Sequence, residues 1–138
     1  MPDDLFSKMT TLTYLHIGLH MQLTHLPSFD GLTNLKSMTL ALLTSLEELP
    51  SLQPLKTLQN LQLLFLASLR IVPDVETLPR LANFLAFDGP ICCNGVLGHC
   101  DSSISYCRSG VPCVGSTVHH ERFLERFNAT FVHGTFQI

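Results

Sequence analysis

Residues 9–91 carry an apolar pattern with a 23-residue period, and this period restricts the fold more than any other feature. Each of its columns, defined as positions exactly one period apart, holds one kind of residue through the units. The columns that run through all four units are Met9, Leu32, Leu55, Leu78; Leu12, Leu35, Leu58, Leu81; Leu15, Met38, Leu61, Phe84; and Ile17, Leu40, Leu63, Ala86. One helix or strand pattern would drift over this length, so we predict one small unit per period, stacked on its neighbours.

Further columns describe the rest of each unit. They are Leu23, Leu46, Leu69; Leu26, Leu49, Val72; Pro27, Pro50, Pro73; and Phe6, Phe29, Leu52, Val75. Proline fixes one backbone dihedral and has no amide to bond. The recurring prolines therefore predict that the segment after each strand is extended or a single turn rather than a full helix.

The unit reads L-x-x-L-x-x-L-x-L, followed by L-x-x-L-P, and from about residue 6 to residue 91 it resembles the leucine-rich repeat. The resemblance implies an α/β-type solenoid, an arc with one short parallel strand per 23-residue unit and an irregular convex side. The chain departs from that family at the usual asparagine position, which holds His20, Leu43, Leu66 and Gly89. The loop backbone must then bond to other partners.

Alternation along each strand predicts which side chains turn outward onto the concave side. The candidate binding residues are mostly polar and uncharged, with an apolar end: Tyr14, His16, Ser37, Thr39, Asn60, Gln62, Leu64, Asn83, Leu85 and Phe87. Gly18 and Ala41 complete the third column. The apolar end around Leu64, Leu85 and Phe87 is interpreted either as a ligand contact or as a surface that the C-terminal tail covers.

The pattern changes after Phe87, where Asp88, Gly89 and Pro90 form a turn sequence and Cys92 takes the place of a core leucine. Residues 92–115 contain all five cysteines: Cys92, Cys93, Cys100, Cys107 and Cys113. The segment I-C-C-N-G-x-L-G-x-C resembles the cysteine-rich cap of extracellular leucine-rich-repeat proteins, including secreted or membrane-anchored ones of filamentous eukaryotic pathogens. The resemblance implies a disulfide-rich cap and an extracellular or membrane-ectodomain location, with the pairing and the unpaired cysteine left open.

Residues 116–138 are predicted to form a helical or docked tail. Ser116 or Thr117 fits a helix cap, and Val118, Phe123, Leu124 and Phe127 fall near one helical face. Asn128 begins a glycosylation sequon, which has meaning only in a secreted chain. The apolar end of the chain favours docking on the last repeat unit or continuation toward a membrane.

Residues 1–8 form a partial lead-in in which the pattern fades, with Asp3 and Asp4 in the columns of Leu26 and Pro27. They lack the features of a secretory signal. The fading of the pattern favours the interpretation that this chain is the C-terminal portion of a longer solenoid. No apolar run is long enough for a membrane-spanning helix. We therefore expect membrane attachment only through segments of the protein outside this sequence. A net charge of −3 without a basic stripe argues against nucleic acid.

Catalysis has little support in the pattern. Cys100, Cys107 and Cys113 lie near His119 and His120, but the spacing does not match paired zinc ligands or an ordered nucleophile and base. We therefore expect no enzyme activity, no cofactor and no metal. The leading hypothesis is a module that binds a protein partner through its concave face. The alternatives are a structural closing segment of a larger receptor-like or effector-like protein and a small zinc-stabilised domain.

Overall fold

The computed structural model describes residues 1–70, 72–73, 75–87, 130–132 and 135–137. Within these residues four strands follow one another along the chain: β1 (Tyr14–Gly18), β2 (Ser37–Ala41), β3 (Asn60–Leu64) and β4 (Asn83–Phe87). Two shorter strands follow near the C-terminus, β5 (Thr130–Val132) and β6 (Thr135–Gln137). All belong to one sheet with the order β1-β2-β3-β4-β6-β5.

The first four strands pair in parallel, each with the strand of the next unit. Leu15, Met38, Leu61 and Phe84 are register partners on neighbouring strands, as the 23-residue period predicts. The predicted solenoid with one parallel strand per unit is confirmed. The predicted α/β class is not confirmed. The described ranges contain no α-helix, and the structure there is a parallel β-solenoid.

In the described residues, the connections between the four parallel strands contain turns and extended stretches without an α-helix, as the recurring prolines predict. The helical structure among the described residues is a single 3₁₀ turn, Val75–Thr77, between β3 and β4. Short i to i+3 backbone bonds close the turns, for example from the Leu32 amide to the Phe29 carbonyl at 2.9 Å and from the Leu55 amide to the Leu52 carbonyl at 3.0 Å. A 23-residue period thus returns the chain to the sheet without a helix.

The core fills the space between the strands and the turns. It consists of the inward column residues, and most of those in the second and third units have no exposed surface. Leu43 and Leu66 join this core, with 0% and 2% exposure, at the position where the leucine-rich repeat commonly has an asparagine. Burial of these side chains stabilises the stack because each unit removes its neighbour's apolar surface from water.

Two ladders of side-chain hydrogen bonds satisfy loop carbonyls in place of the missing asparagines. After the strands, Ser45 Oγ donates to the Met21 carbonyl at 2.5 Å and Ser68 Oγ donates to the Thr44 carbonyl at 2.6 Å. Before the strands, Asn34 donates to the Thr10 carbonyl at 2.7 Å. Thr57, one period later, donates to the Thr33 carbonyl at 3.0 Å. Each bond joins adjacent units, so these ladders meet the sequence-based expectation of substitute partners.

Replacement of Ser68 by alanine should lower the free energy of unfolding by about 1 kcal/mol, because the partly buried Thr44 carbonyl loses its donor. Urea unfolding measures the change. The matched control is Ser7→Ala at an exposed site, which should stay within about 0.5 kcal/mol of the parent. Equal effects at both serines would show that the ladder does not stabilise the stack.

A residue with left-handed backbone conformation follows directly after each of the first three strands. Leu19, Leu42 and Phe65 have φ values of 63°, 56° and 54°, and they occupy one column of the repeat. Their amides donate to the last strand residue of the following unit: Leu19 to the Ala41 carbonyl, Leu42 to Leu64 and Phe65 to Phe87. This conformation is unfavourable for residues with a Cβ atom. The three inter-unit bonds hold it in place.

Replacement of Leu19 by glycine should raise the free energy of unfolding by roughly 0.5–1 kcal/mol. The free energy gained by removing the left-handed strain should exceed the cost of the extra backbone entropy that glycine loses on folding. Little burial is lost, because Leu19 is 72% exposed. Thermal unfolding measures the change. Leu19→Ile serves as the opposite control, since a β-branched residue fits this conformation worst. A glycine variant less stable than the isoleucine variant would contradict the strain at this position.

Candidate functional site

The outward side chains of the four parallel strands form one surface, which we call the strand face. The register places them in three columns: Tyr14, Ser37, Asn60, Asn83; His16, Thr39, Gln62, Leu85; and Gly18, Ala41, Leu64, Phe87. All ten candidate binding residues predicted from the sequence lie here. With strands about 4.8 Å apart, each column extends about 14 Å across the sheet.

No member of the strand face is Asp, Glu, Lys or Arg. The first two columns carry mostly phenol, hydroxyl, amide and imidazole groups, and the third column becomes aliphatic and aromatic toward β4. Groups of this kind donate and accept hydrogen bonds without strongly attracting ions. The composition therefore suits an uncharged polar ligand surface with an apolar part, and it does not suit a polyanion.

Two side-chain bonds organise the polar columns. Asn83 Nδ2 donates to Asn60 Oδ1 at 2.6 Å, and Thr39 Oγ1 donates to Gln62 Oε1 at 3.4 Å. Each bond links neighbouring strands, because the partners are 23 residues apart. The first bond engages only one of the two polar atoms of each asparagine amide, and Gln62 is exposed. These bonds fix amide groups in position on the strand face.

Thr39 differs from its neighbours on the face, because it is only 8% exposed. Its short side chain lies between the longer side chains of His16 and Gln62 in the same column. The sequence pattern places Thr39 correctly on this face, but its neighbours cover it. Its hydroxyl donates to Gln62, the exposed neighbour in this column.

An exposed aromatic pair lies at the apolar end of the face: Phe87 belongs to the face, and Phe65 follows directly after β3. The two ring centroids lie 5.2 Å apart at 85°, an edge-to-face arrangement. Phe65 is 42% exposed and Phe87 is 40% exposed, while Leu64 and Leu85 beside them are partly buried. Phe65 is absent from the sequence-based candidates. Its recurrence in a column with Leu19 and Leu42, outside the motif leucines, is the signal that identifies it.

The C-terminal hairpin lies beside this apolar end. Strand β6 pairs antiparallel with β4 through Leu85, Ala86 and Phe87. The hairpin therefore extends the sheet in its own plane, and both rings of the aromatic pair stay exposed beside it. The two sequence interpretations of the patch at Leu64, Leu85 and Phe87, a ligand contact and a covering tail, both stay predictions, because most of the C-terminal tail lies outside the described residues.

Other candidate sites fall outside the described residues. These are the cysteines Cys92, Cys93, Cys100, Cys107 and Cys113, the histidines His119 and His120, and the glycosylation candidate Asn128. Among the residues described, no group of three or more His, Cys, Asp or Glu side chains lies close enough to hold a metal ion. None of the helical structure in this part of the chain has the length and apolar character needed to cross a bilayer.

Beyond β1, residues 19–23 line an open depression of about 400 Å³. Its surface includes the exposed Leu19, His20 and Met21. His25 lies nearby in sequence, and its Nδ1 is 3.2 Å from the hydroxyl of Thr24.

Comparison of the chain with protein-family models, with curated proteins and with solved structures found no significant match.

Proposed function

We propose that this chain is a leucine-rich-repeat module that binds a protein partner through the strand face and catalyses no reaction. The observation that carries the proposal is the uncharged strand face, on which aligned amide and hydroxyl columns end at the exposed Phe65–Phe87 pair. Protein interfaces commonly combine a desolvated aromatic anchor with surrounding polar contacts. In this account the aromatic pair is the anchor and Asn60, Gln62 and Asn83 supply directional bonds.

The partner's surface should present apolar side chains toward Phe65 and Phe87 and backbone or amide groups toward Gln62. A charged partner surface fits less well, because the face offers no opposite charge to replace lost hydration. We also propose an extracellular or membrane-ectodomain setting, on the basis of the cysteine-rich resemblance, with disulfides and a glycan at Asn128 as its chemical signs. Any membrane attachment would come from other segments.

A pair of glutamines provides a matched test. Gln62 is exposed on the strand face, and Gln53 is exposed in the connection between β2 and β3. A photo-reactive amino acid placed at either position would capture a partner from the protein's native environment. We expect one defined partner from position 62 and none from position 53.

The captured partner then allows a direct affinity measurement. Gln62→Lys should weaken its binding at least about 10-fold, because a buried unpaired charge is unfavourable at an interface. Gln53→Lys should leave the affinity unchanged. Equal capture from both positions, or equal affinities of the two lysine variants, would contradict recognition through the strand face.

A second candidate function is structural closure of a larger repeat protein. The observation that favours it is the antiparallel β4–β6 pairing, which replaces the parallel pairing used by the other units. A hairpin covers an edge that would otherwise bind further strands. A closing segment would yield no defined partner from position 62 or position 53, so the same cross-linking experiment separates the two functions.

A further inference from the structure

Charged side chains in the repeat are segregated by position, although the strand face itself carries none. We call the five residues before each strand its pre-strand segment; these segments are 9–13, 32–36, 55–59 and 78–82. Every Asp and Glu of residues 1–87 lies outside them. Lys36, Lys56 and Arg80 lie within them, and all three are exposed. The N-terminal ends of the strands are therefore basic, without any acidic side chain.

Hydrogen bonds between units place the last three pre-strand segments side by side. The amides of Gln59 and Asn60 donate to the Lys36 carbonyl at 2.9 and 3.0 Å. The amides of Ala82 and Asn83 donate to the Gln59 carbonyl, both at 2.9 Å. With about 4.8 Å between units, the three cations span about 10 Å across the sheet. We call segments 32–36, 55–59 and 78–82 together the basic edge.

The basic edge borders the strand face directly. Lys36 is followed by Ser37, and Gln59 is followed by Asn60, the first residues of β2 and β3. A protein surface that covers the strand face therefore reaches the basic edge at its margin. Protein interfaces commonly have a core depleted of charge and a polar rim. In this arrangement the strand face corresponds to the core and the basic edge to the rim.

We propose that the basic edge recognises acidic side chains at the rim of the protein partner that covers the strand face. This inference rests on the proposed function, and it adds the charge and the orientation of the partner. Opposite charges at a rim accelerate association and disfavour wrong partners. The partner's carboxylates would lie over the N-terminal ends of β2, β3 and β4, so they also fix which way round it binds.

A few carboxylates on a protein fit the basic edge better than a nucleic acid or a sulfated glycan does. A polyanion of either kind presents a long row of charges, whereas the basic edge offers three cations over about 10 Å. Asp30, Glu47 and Glu48 are exposed on other parts of the connections. They would repel the remaining charges of a long polyanion, so we expect a local cluster of acidic side chains.

Two neighbouring positions separate the rim of such an interface from its core. Gln59 is exposed in the basic edge, and Gln62 is exposed on the strand face. A photo-reactive amino acid at either position leaves every charged side chain in place, and peptide mapping identifies the partner segment that it captures. We expect both positions to capture the same protein, with Asp or Glu in the segment attached to position 59. A nucleic acid, a glycan, a peptide without acidic residues or no capture at position 59 would overturn the proposal.

A matched pair of arginines tests the charge itself. Arg80 lies in the basic edge, whereas Arg70 lies earlier in the same connection and outside that edge; both are exposed. Arg80→Glu should slow association with the captured protein at least about 3-fold at about 0.1 M salt and less than about 1.5-fold at about 1 M, because ions screen the rim charge. Arg70→Glu changes the net charge equally, and it should slow association less than about 1.5-fold at either concentration.

The association rates and the capture experiment together separate this proposal from the proposed function. Capture from position 62 with equal association rates for Arg80→Glu and Arg70→Glu would overturn the acidic rim, while the strand-face function would stand. No capture from position 62 would overturn the proposed function, and the acidic partner rim with it. Slower association of Arg80→Glu alone, lost at high salt, is the result that the basic edge predicts.

Discussion

Replacement of Leu61 by alanine is expected to lower the free energy of unfolding by about 3–5 kcal/mol. Leu61 is 0% exposed and lies in register between Met38 of β2 and Phe84 of β4. Truncation removes apolar burial on both sides and leaves a cavity at the middle of the stack, where neither adjacent unit can collapse without losing its own contacts. Equilibrium unfolding in urea, followed by circular dichroism, measures the loss.

Two substitutions serve as controls for this prediction. Leu15→Ala makes the same chemical change in the same column, but Leu15 is already partly exposed, so about half the loss is expected. Leu61→Met keeps nearly the same volume and should cost less than about 1.5 kcal/mol. If Leu15→Ala and Leu61→Ala destabilised equally, the stacking of internal units would not be the source of stability.

Replacement of Gly31 by alanine is expected to cost about 3 kcal/mol, because the added methyl group has no space. A Cβ atom at this position would lie 1.9 Å from the carbonyl oxygen of Phe6 and 2.6 Å from the carbonyl carbon of Ser7. Both neighbours are backbone, so the lead-in must move away. Its displacement exposes Phe6, Phe29 and Leu32 to water, and this exposure adds to the steric cost.

Gly18→Ala is the matched control. There an added Cβ would lie 3.1 Å from His16 Nε2, the end of an exposed side chain that can rotate away, and 3.3 Å from the Ala41 carbonyl oxygen. A loss below about 1 kcal/mol is expected. Limited proteolysis gives a second measurement, since Gly31→Ala should also speed cleavage within residues 1–8. Similar stability and proteolysis for both variants would mean that the lead-in does not pack on Gly31.

The stacking of units was predictable from the sequence because the period fixes both strand position and register. A 23-residue spacing forces Leu15, Met38, Leu61 and Phe84 into one row once each unit forms a single strand. The same register places Asn60 beside Asn83 and Thr39 beside Gln62. The candidate surface was therefore predictable as a set of columns, although the binding role of its residues stays a prediction.

Other features depend on local geometry that the period does not encode. Thr39 is buried between longer neighbours in its column, and Phe65 has a left-handed backbone that favours glycine rather than phenylalanine. The pairing of β6 with β4 joins segments that are distant in sequence, through only three residue pairs. Short antiparallel strands outside the repeat carry too little pattern to specify their partner.

The most direct test of this structure is a nuclear Overhauser measurement between backbone protons of neighbouring strands. The parallel solenoid predicts cross-peaks that connect β1 to β2, β2 to β3 and β3 to β4, always between residues whose numbers differ by about 23. Leu15, Met38, Leu61 and Phe84 should form one continuous chain of such contacts. Cross-peaks typical of antiparallel hairpins within residues 14–87, or a different spacing between partners, would contradict the stacked repeat.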